Sequence, residues 1–132
     1  MPTVKLVDEN TTDPRVRRIF DEIKAKRKVD RVPNIWRALA AHPEQMEHYW
    51  NLLQSIMKPG KLDMLTKEMI AVAVSMTNSC RYCTNSHLAA AQKHGMDQEM
   101  LGELLSVVGL YNMFNKLSDS LQVEPDVLPN LD

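Results

Sequence analysis

Two cysteines and a histidine stand at spacings that could support thiol chemistry. Cys80 and Cys83 are three residues apart, and His87 follows four residues later. On one helix these side chains form a single stripe, with the two sulfurs adjacent and the imidazole one turn further on. Because helical side chains lean toward the N-terminus, the His87 ring should lie over Cys83. The spacing therefore predicts a reactive thiol pair with an imidazole beside it.

The position of the two cysteines at a helix start should make the thiols acidic. Both Cys80 and Cys83 are expected in the first turn, where unpaired backbone N–H groups and the positive end of the helix dipole favour a thiolate. Arg81 lies between them and adds a cation. We therefore expect thiolates to be accessible at neutral pH.

Glu68 is the acidic side chain that the preceding helix would bring to this stripe. A helix over residues 64–78 and another over residues 80–94, with a short break at residues 78–79, should pack as an antiparallel αα-hairpin. Counting outward from the break places Glu68 opposite His87 or its neighbours. A carboxylate, an imidazole and a thiol in this order would form a proton relay.

The rest of the chain predicts only helices. Apolar residues recur at helical spacing between breaks at Pro33, Pro43, Pro59–Gly60 and Gly95, and no stretch alternates with the period of a strand. The predicted fold class is therefore all-α. We expect a single compact domain of about six helices over residues 1–132, with the central antiparallel pair and its motif at residues 63–95 and a Pro-containing tail at residues 124–132.

Composition and charge exclude several classes of protein. The 132 residues are 44% hydrophobic and 25% charged, which suits a globular domain with a core of its own. Sixteen Lys and Arg against 17 Asp and Glu, mixed along the chain, give no electrostatic footprint for nucleic acid or an anionic membrane. No apolar run is long enough for a transmembrane helix or a secretory signal. A close CxxC pair is typical of a reducing compartment, so we predict a cytoplasmic protein.

The run from Glu68 to His87 is similar to the signature of the AhpD-like alkylhydroperoxidases of the carboxymuconolactone decarboxylase superfamily. Glu68 is followed by eleven residues, Cys80, two residues, Cys83, three residues and His87. The upstream stretch VPNIWRALAAHPEQMEHYWNLLQSIMKPGKLDMLTKE also resembles the single-domain members of that family. The resemblance covers the bulk of the chain.

The resemblance implies a thiol peroxidase. Cys83 matches the cysteine that attacks a small peroxide, and Cys80 matches the one that resolves the sulfenic acid by forming the Cys80–Cys83 disulfide. Glu68 and His87 match the proton-relay residues of the family. Tyr82 departs from the pattern, because a mycobacterial member has a further histidine at that position, whereas many members of unknown substrate share the tyrosine. Tyr82 and Arg81 are therefore auxiliary candidates.

The resemblance also implies partners. No organic cofactor or metal is required, and the oxidised cysteines would be re-reduced by a dithiol on a lipoyl domain or a thioredoxin-like protein. The apolar helix faces exceed what a chain of this size needs internally, and related proteins are trimers or hexamers. We therefore expect a homo-oligomer, with a hexamer favoured by resemblance alone and a trimer as the alternative.

Three other functions remain open at this point. The side chains of Cys80, Cys83, His87 and Glu68 could complete a zinc site, although structural zinc sites usually draw ligands from two separated knuckles. Lactone decarboxylation without a cofactor is the chemistry that names the superfamily, but it would leave the cysteine pair unexplained. The same cysteines could also serve a general disulfide reductase or a redox sensor.

Overall fold

Six α-helices occur in residues 2–130, the part of the chain that the computed structural model describes. No strand occurs in this range, and the all-α prediction is confirmed. The helices are α1 (Pro14–Arg27), α2 (Asn34–Leu39), α3 (Pro43–Ile56), α4 (Met64–Thr77), α5 (Arg81–Lys93) and α6 (Gln98–Ser120).

Aspartates begin three of the helices, as their positions before apolar periodic segments predict. Asp13, Asp63 and Asp97 each accept a hydrogen bond from a backbone N–H of the first turn, at 2.8 to 2.9 Å. These bonds satisfy donors that have no partner inside the helix. At Asp63 the bond from the Thr66 backbone lowers the pKa of the carboxyl below its ordinary value.

The chain divides into two compact units, with the boundary between Lys58 and Pro59. The first unit contains α1, α2 and α3 around an apolar core. Trp36 and Trp50 meet there edge to face, with ring centroids 5.1 Å apart. The Trp50 indole donates to Glu22 at 3.1 Å, so this large ring is buried with its polar atom satisfied. The prediction of one domain over residues 1–132 stays a prediction.

The second unit contains α4, α5 and α6, and α4 packs against both of the others. The apolar residues on more than one face of residues 64–78 predict a largely buried helix. This prediction is wrong for the outer face of α4, where Ile70 and Val74 are 48% and 54% exposed. The α4 side chains that are buried are Glu68, Val72 and Ser75, which share one face. Two partner helices cover one side of α4 and leave apolar side chains on the other.

The last helix and the tail also differ from expectation. Apolar spacing after the Asp97 cap predicts an inward stripe on α6, formed by Leu101, Leu104, Leu105, Val108 and Tyr111. No residue of α6 is fully buried: Leu101, Leu104 and Val108 are partly buried, whereas Leu105 and Tyr111 are exposed. Residues 121–130 are exposed, and the last two residues of the predicted tail lie outside the described part. Within residues 2–130, none of the helices has the length and apolar character needed to span a membrane.

Candidate active site

A tight turn joins α4 to α5 and sets the position of the first cysteine. Ser79 adopts a left-handed backbone with φ of 56°. Its N–H donates to the Met76 carbonyl at 3.0 Å, and the Cys80 N–H donates to the Ser75 carbonyl at 2.9 Å. This pair of bonds is the Schellman motif that ends many helices. Cys80 is therefore tied to the last turn of α4 through its backbone.

Cys80 also begins the next helix. It is the N-cap of α5, and its sulfur accepts the Cys83 backbone N–H at 3.3 Å. The expectation that both cysteines lie in the first turn was wrong for Cys80: the turn at Ser79 holds Cys80 in a non-helical conformation, and α5 begins at Arg81. Cys83 is the cysteine inside the first turn. One residue thus closes α4 and opens α5.

The two sulfur atoms are joined in a disulfide. The Cα atoms of Cys80 and Cys83 are 5.4 Å apart, within the range that a disulfide spans. Both residues are partly exposed, so a small oxidant or thiol could reach the bond. The structure therefore represents the oxidised form of the pair.

Glu68 and His87 meet across the α4–α5 hairpin. The Glu68 Oε2 atom lies 2.7 Å from His87 Nδ1, and Glu68 is only 7% exposed. The predicted juxtaposition of the carboxylate and the imidazole is confirmed, whereas their catalytic role stays a prediction. Because a carboxylate accepts hydrogen bonds only, Nδ1 is the donor in this contact. In the neutral imidazole, Nε2 then keeps a lone pair that can accept a proton.

The relation of His87 to the sulfurs follows from the helix. Cys83 lies one turn before His87 on the same face of α5. Among the described side chains, no hydrogen bond joins the imidazole to either sulfur; both sulfurs are in the disulfide. The structure thus shows the carboxylate–imidazole contact and places Cys83 one helical turn from the imidazole, and the relay through these groups stays a prediction.

Two serines that were not identified from the sequence support the site. Ser75 shares the buried face of α4 with Glu68, and its hydroxyl donates to the Ala71 carbonyl at 2.6 Å. Its own carbonyl receives the Cys80 N–H. Ser79 takes the left-handed position that glycine usually occupies. The sequence does not indicate that Ser79 has a left-handed backbone, because serine is common in many kinds of turn. Ser75 could have been found only from its place on the same helical face as Glu68.

The remaining candidates lie on the surface of this region. Arg81 and Tyr82 are both exposed, in the first turn of α5. His94 is exposed at the C-terminal end of α5, as a histidine interacting with the helix dipole would be. Within residues 2–130, no group of three or more His, Cys, Asp or Glu side chains is arranged to hold a metal ion.

The arrangement combines a dithiol–disulfide couple with a partly buried acid–base pair. A disulfide between residues three apart can open and close without moving distant parts of the chain. The Glu68–His87 contact can hold and pass a proton beside Cys83. These are the parts that a two-electron thiol reaction requires.

Comparisons with known proteins find a family and a solved structure that this chain resembles. Residues 43–123 match the model of the carboxymuconolactone decarboxylase family. The chain is similar over 96% of its length to the crystal structure of the alkylhydroperoxidase AhpD core from Rhodospirillum rubrum, with 43% identity, a TM-score of 0.90 and 95% of that chain covered.

Two curated relatives are similar over shorter stretches. An uncharacterized protein of Cupriavidus necator is 30% identical over 67 residues, which are 51% of this chain and 59% of the relative. Uncharacterized protein 4 in the cox locus of Paracoccus denitrificans is 34% identical over 56 residues, which are 42% of this chain and 50% of the relative. The matched stretches thus span only 50 to 59% of the relatives' lengths. The family model covers more than half of this chain, and the chain belongs to the carboxymuconolactone decarboxylase family as an AhpD-like member.

Proposed function

We propose that this protein is a thiol-dependent peroxidase that reduces small organic hydroperoxides. The observation that carries the proposal is the Glu68–His87 contact, in which Glu68 is buried and His87 is partly exposed, one helical turn from the Cys80–Cys83 disulfide. A structural disulfide would need no acid–base pair next to it, and buried charge-bearing groups in such a position are typical of catalytic sites. The likeness to the alkylhydroperoxidase AhpD core supports the same activity.

The proposed reaction has two chemical steps. The Cys83 thiolate attacks one peroxide oxygen, the O–O bond breaks, and the departing alkoxide takes a proton from the Glu68–His87 pair to leave as an alcohol. Cys83 is then a sulfenic acid. The Cys80 thiolate attacks its sulfur, the S–O bond breaks, and the oxygen leaves as water with a proton from the same pair. The product is the disulfide that the structure contains.

Proton delivery should contribute more to the rate than thiol acidity does. Lowering a thiol pKa by about two units raises the thiolate fraction at neutral pH roughly 25-fold, but lowers its nucleophilicity about 8-fold if the Brønsted slope for disulfide exchange applies. The net gain is only about 3-fold. Positioned proton transfer typically contributes about 10² to 10⁴. The role proposed for Glu68 and His87 is therefore the larger one.

A dithiol must return the disulfide to the reduced form. We propose a lipoyl domain or a thioredoxin-like protein as its source, and a cytoplasmic location in which such reductants are present. The proposed assembly is a homo-oligomer, either a hexamer or a trimer. No membrane or nucleic-acid partner is part of the proposal.

Turnover measurements separate this function from a general disulfide reductase. With dihydrolipoamide as reductant, the protein should consume an organic hydroperoxide at least about tenfold faster than a model disulfide such as oxidised glutathione at equal concentration, because an alkoxide leaving group needs the relayed proton far more than a thiolate leaving group does. The Cys83→Ser variant should lose the peroxide activity. Equal or faster turnover of the model disulfide would contradict the peroxidase assignment and favour a reductase.

A further inference from the structure

We propose that the reductant attacks the disulfide at Cys83, so that Cys80 leaves as the thiolate and the mixed disulfide forms on Cys83. This inference concerns the second half of the catalytic cycle and rests on the proposed function for its biological setting. Its chemistry requires only the Cys80–Cys83 disulfide and the contacts around it.

The helix cap stabilises negative charge on the Cys80 sulfur. Its sulfur accepts the Cys83 backbone N–H at 3.3 Å. Cys80 is held there by its own N–H bond to the Ser75 carbonyl at 2.9 Å, a bond that does not depend on the disulfide. When the S–S bond breaks, the Cys80 sulfur can therefore keep its place at the N-terminus of α5. A thiolate at this position interacts favourably with the N–H group and with the helix dipole.

Thiol–disulfide exchange favours departure of the more stable thiolate. The rate depends on the pKa of the leaving thiol, and a thiol of lower pKa leaves faster. Cys83 lies inside the helix, and within residues 2–130 no backbone N–H donates to its sulfur as the Cys83 N–H does to that of Cys80. Attack at Cys83 releases the capped sulfur, whereas attack at Cys80 would release the uncapped one.

The imidazole of His87, which can act as the base, lies nearer in sequence to Cys83 than to Cys80. His87 is one turn from Cys83 on the same face of α5, and Glu68 holds its Nδ1 atom at 2.7 Å. The Nε2 atom can therefore accept the proton of an incoming thiol as it reaches the Cys83 sulfur. Arg81 and Tyr82, the other titratable neighbours, lie between the two cysteines in the sequence.

Reduction of the protein disulfide by a dithiol is a two-electron thiol–disulfide exchange. One thiol of the reductant passes its proton to His87 and bonds to the Cys83 sulfur, the S–S bond breaks, and its electron pair stays on the Cys80 sulfur. The second thiol of the reductant then attacks the reductant sulfur of the mixed disulfide and releases Cys83 as a thiolate. The protein has gained two electrons, the reductant has become a cyclic disulfide, and the two protons end on the protein dithiol.

The sequence allows the two cysteines to be observed separately in the unmodified protein. Trypsin cleaves after Lys67, Arg81 and Lys93, and so places the first cysteine in peptide 68–81 and the second in peptide 82–93. Each thiol can thus be followed by mass spectrometry without a cysteine substitution. No variant is needed that could disturb the fold.

The test uses glutathione, a thiol that cannot complete the second step by itself. The oxidised protein is mixed with glutathione, quenched with acid within seconds, labelled with N-ethylmaleimide and digested. We expect glutathione on peptide 82–93 and the maleimide label on peptide 68–81, in at least about threefold excess over the reverse pattern, the factor that one pKa unit gives at a Brønsted slope of about 0.5. An even distribution, or an excess of glutathione on peptide 68–81, would overturn the proposal.

Alkylation of the reduced protein checks the cap directly. The rate of iodoacetamide reaction with each peptide, measured against pH, should show a midpoint for Cys80 about one unit or more below that for Cys83. In concentrated urea, where the helix is lost, the two midpoints should converge, which controls for the intrinsic reactivity of the peptides. A midpoint for Cys83 equal to or below that for Cys80 in the folded protein would overturn the proposal.

These measurements are separable from the test of the peroxidase function. Neither uses a peroxide, so the order of the two cysteines can hold in a protein that fails to turn over hydroperoxide. Conversely, peroxide turnover with the opposite order of the cysteines would leave the proposed function standing and remove this inference alone.

Discussion

Glu68 is the residue on which the chemistry of the site depends most. It is a carboxylate with 7% exposure that contacts His87 at 2.7 Å. Its place could be predicted from sequence because two helices joined by a very short break have little freedom in their register. The position of Cys80 outside the helix could not be predicted. It depends on the left-handed backbone of Ser79, and serine has no preference for that conformation.

Replacing Glu68 by Gln should separate proton transfer from thiol acidity. We expect the peroxidase rate of Glu68→Gln to fall by about 10² to 10⁴, because the amide cannot supply or accept the relayed proton. The alkylation midpoints of the two cysteines should move much less. The matched control is Glu124→Gln, in the exposed tail, which should leave the rate unchanged. A Glu68→Gln variant as active as the parent would remove the relay from the mechanism.

At the scale of elements, the α4–α5 turn decides where the cysteines lie. The caps at Asp13, Asp63 and Asp97 were predictable because an aspartate before an apolar periodic segment has one dominant role. The Schellman turn was not predictable in detail, because Asn78 and Ser79 suit many kinds of break. The sequence therefore located the turn but not its hydrogen bonds.

Replacing Ser79 by Gly should stabilise the protein. A non-glycine residue in the left-handed region carries a cost of roughly 1 to 2 kcal/mol, while glycine adds backbone entropy to the unfolded chain. We expect the free energy of unfolding of Ser79→Gly to rise by about 0.5 kcal/mol in urea denaturation. Ser79→Ala is the control, because alanine pays the same conformational cost as serine and should give no gain. A loss of stability in the glycine variant would show that the serine hydroxyl makes a contact that outweighs the strain.

At the scale of the whole molecule, α6 leaves an apolar stripe uncovered. Leu110, Met113, Phe114 and Leu117 are between 45% and 50% exposed and share one face, and Leu121 continues that face. The inward stripe predicted from the sequence, from Leu101 to Tyr111, consists of different residues. Periodicity identifies an apolar face without indicating whether the same chain or another copy covers it. A contiguous exposed face of this kind is typical of a contact between protein chains.

A charge placed on the α6 stripe should break the proposed homo-oligomer. We expect light scattering to give the wild-type protein a mass of three or six chains, the states that the family resemblance favours, and Phe114→Arg a smaller mass, because the arginine would be desolvated in the contact. Asp119→Arg is the control on the opposite face of α6 and should leave the mass unchanged. A monomeric wild-type protein would contradict the assembly.

The central claim is that Cys83 receives the peroxide oxygen and Cys80 removes it. Mass spectrometry of the reduced protein after one equivalent of organic hydroperoxide tests this most directly. The wild-type protein should lose two hydrogens by forming the Cys80–Cys83 disulfide. The Cys80→Ser variant should accumulate one added oxygen on peptide 82–93, which contains Cys83. An unchanged mass in both proteins, or oxygen on Cys80 in a Cys83→Ser protein that still reduces peroxide, would contradict it.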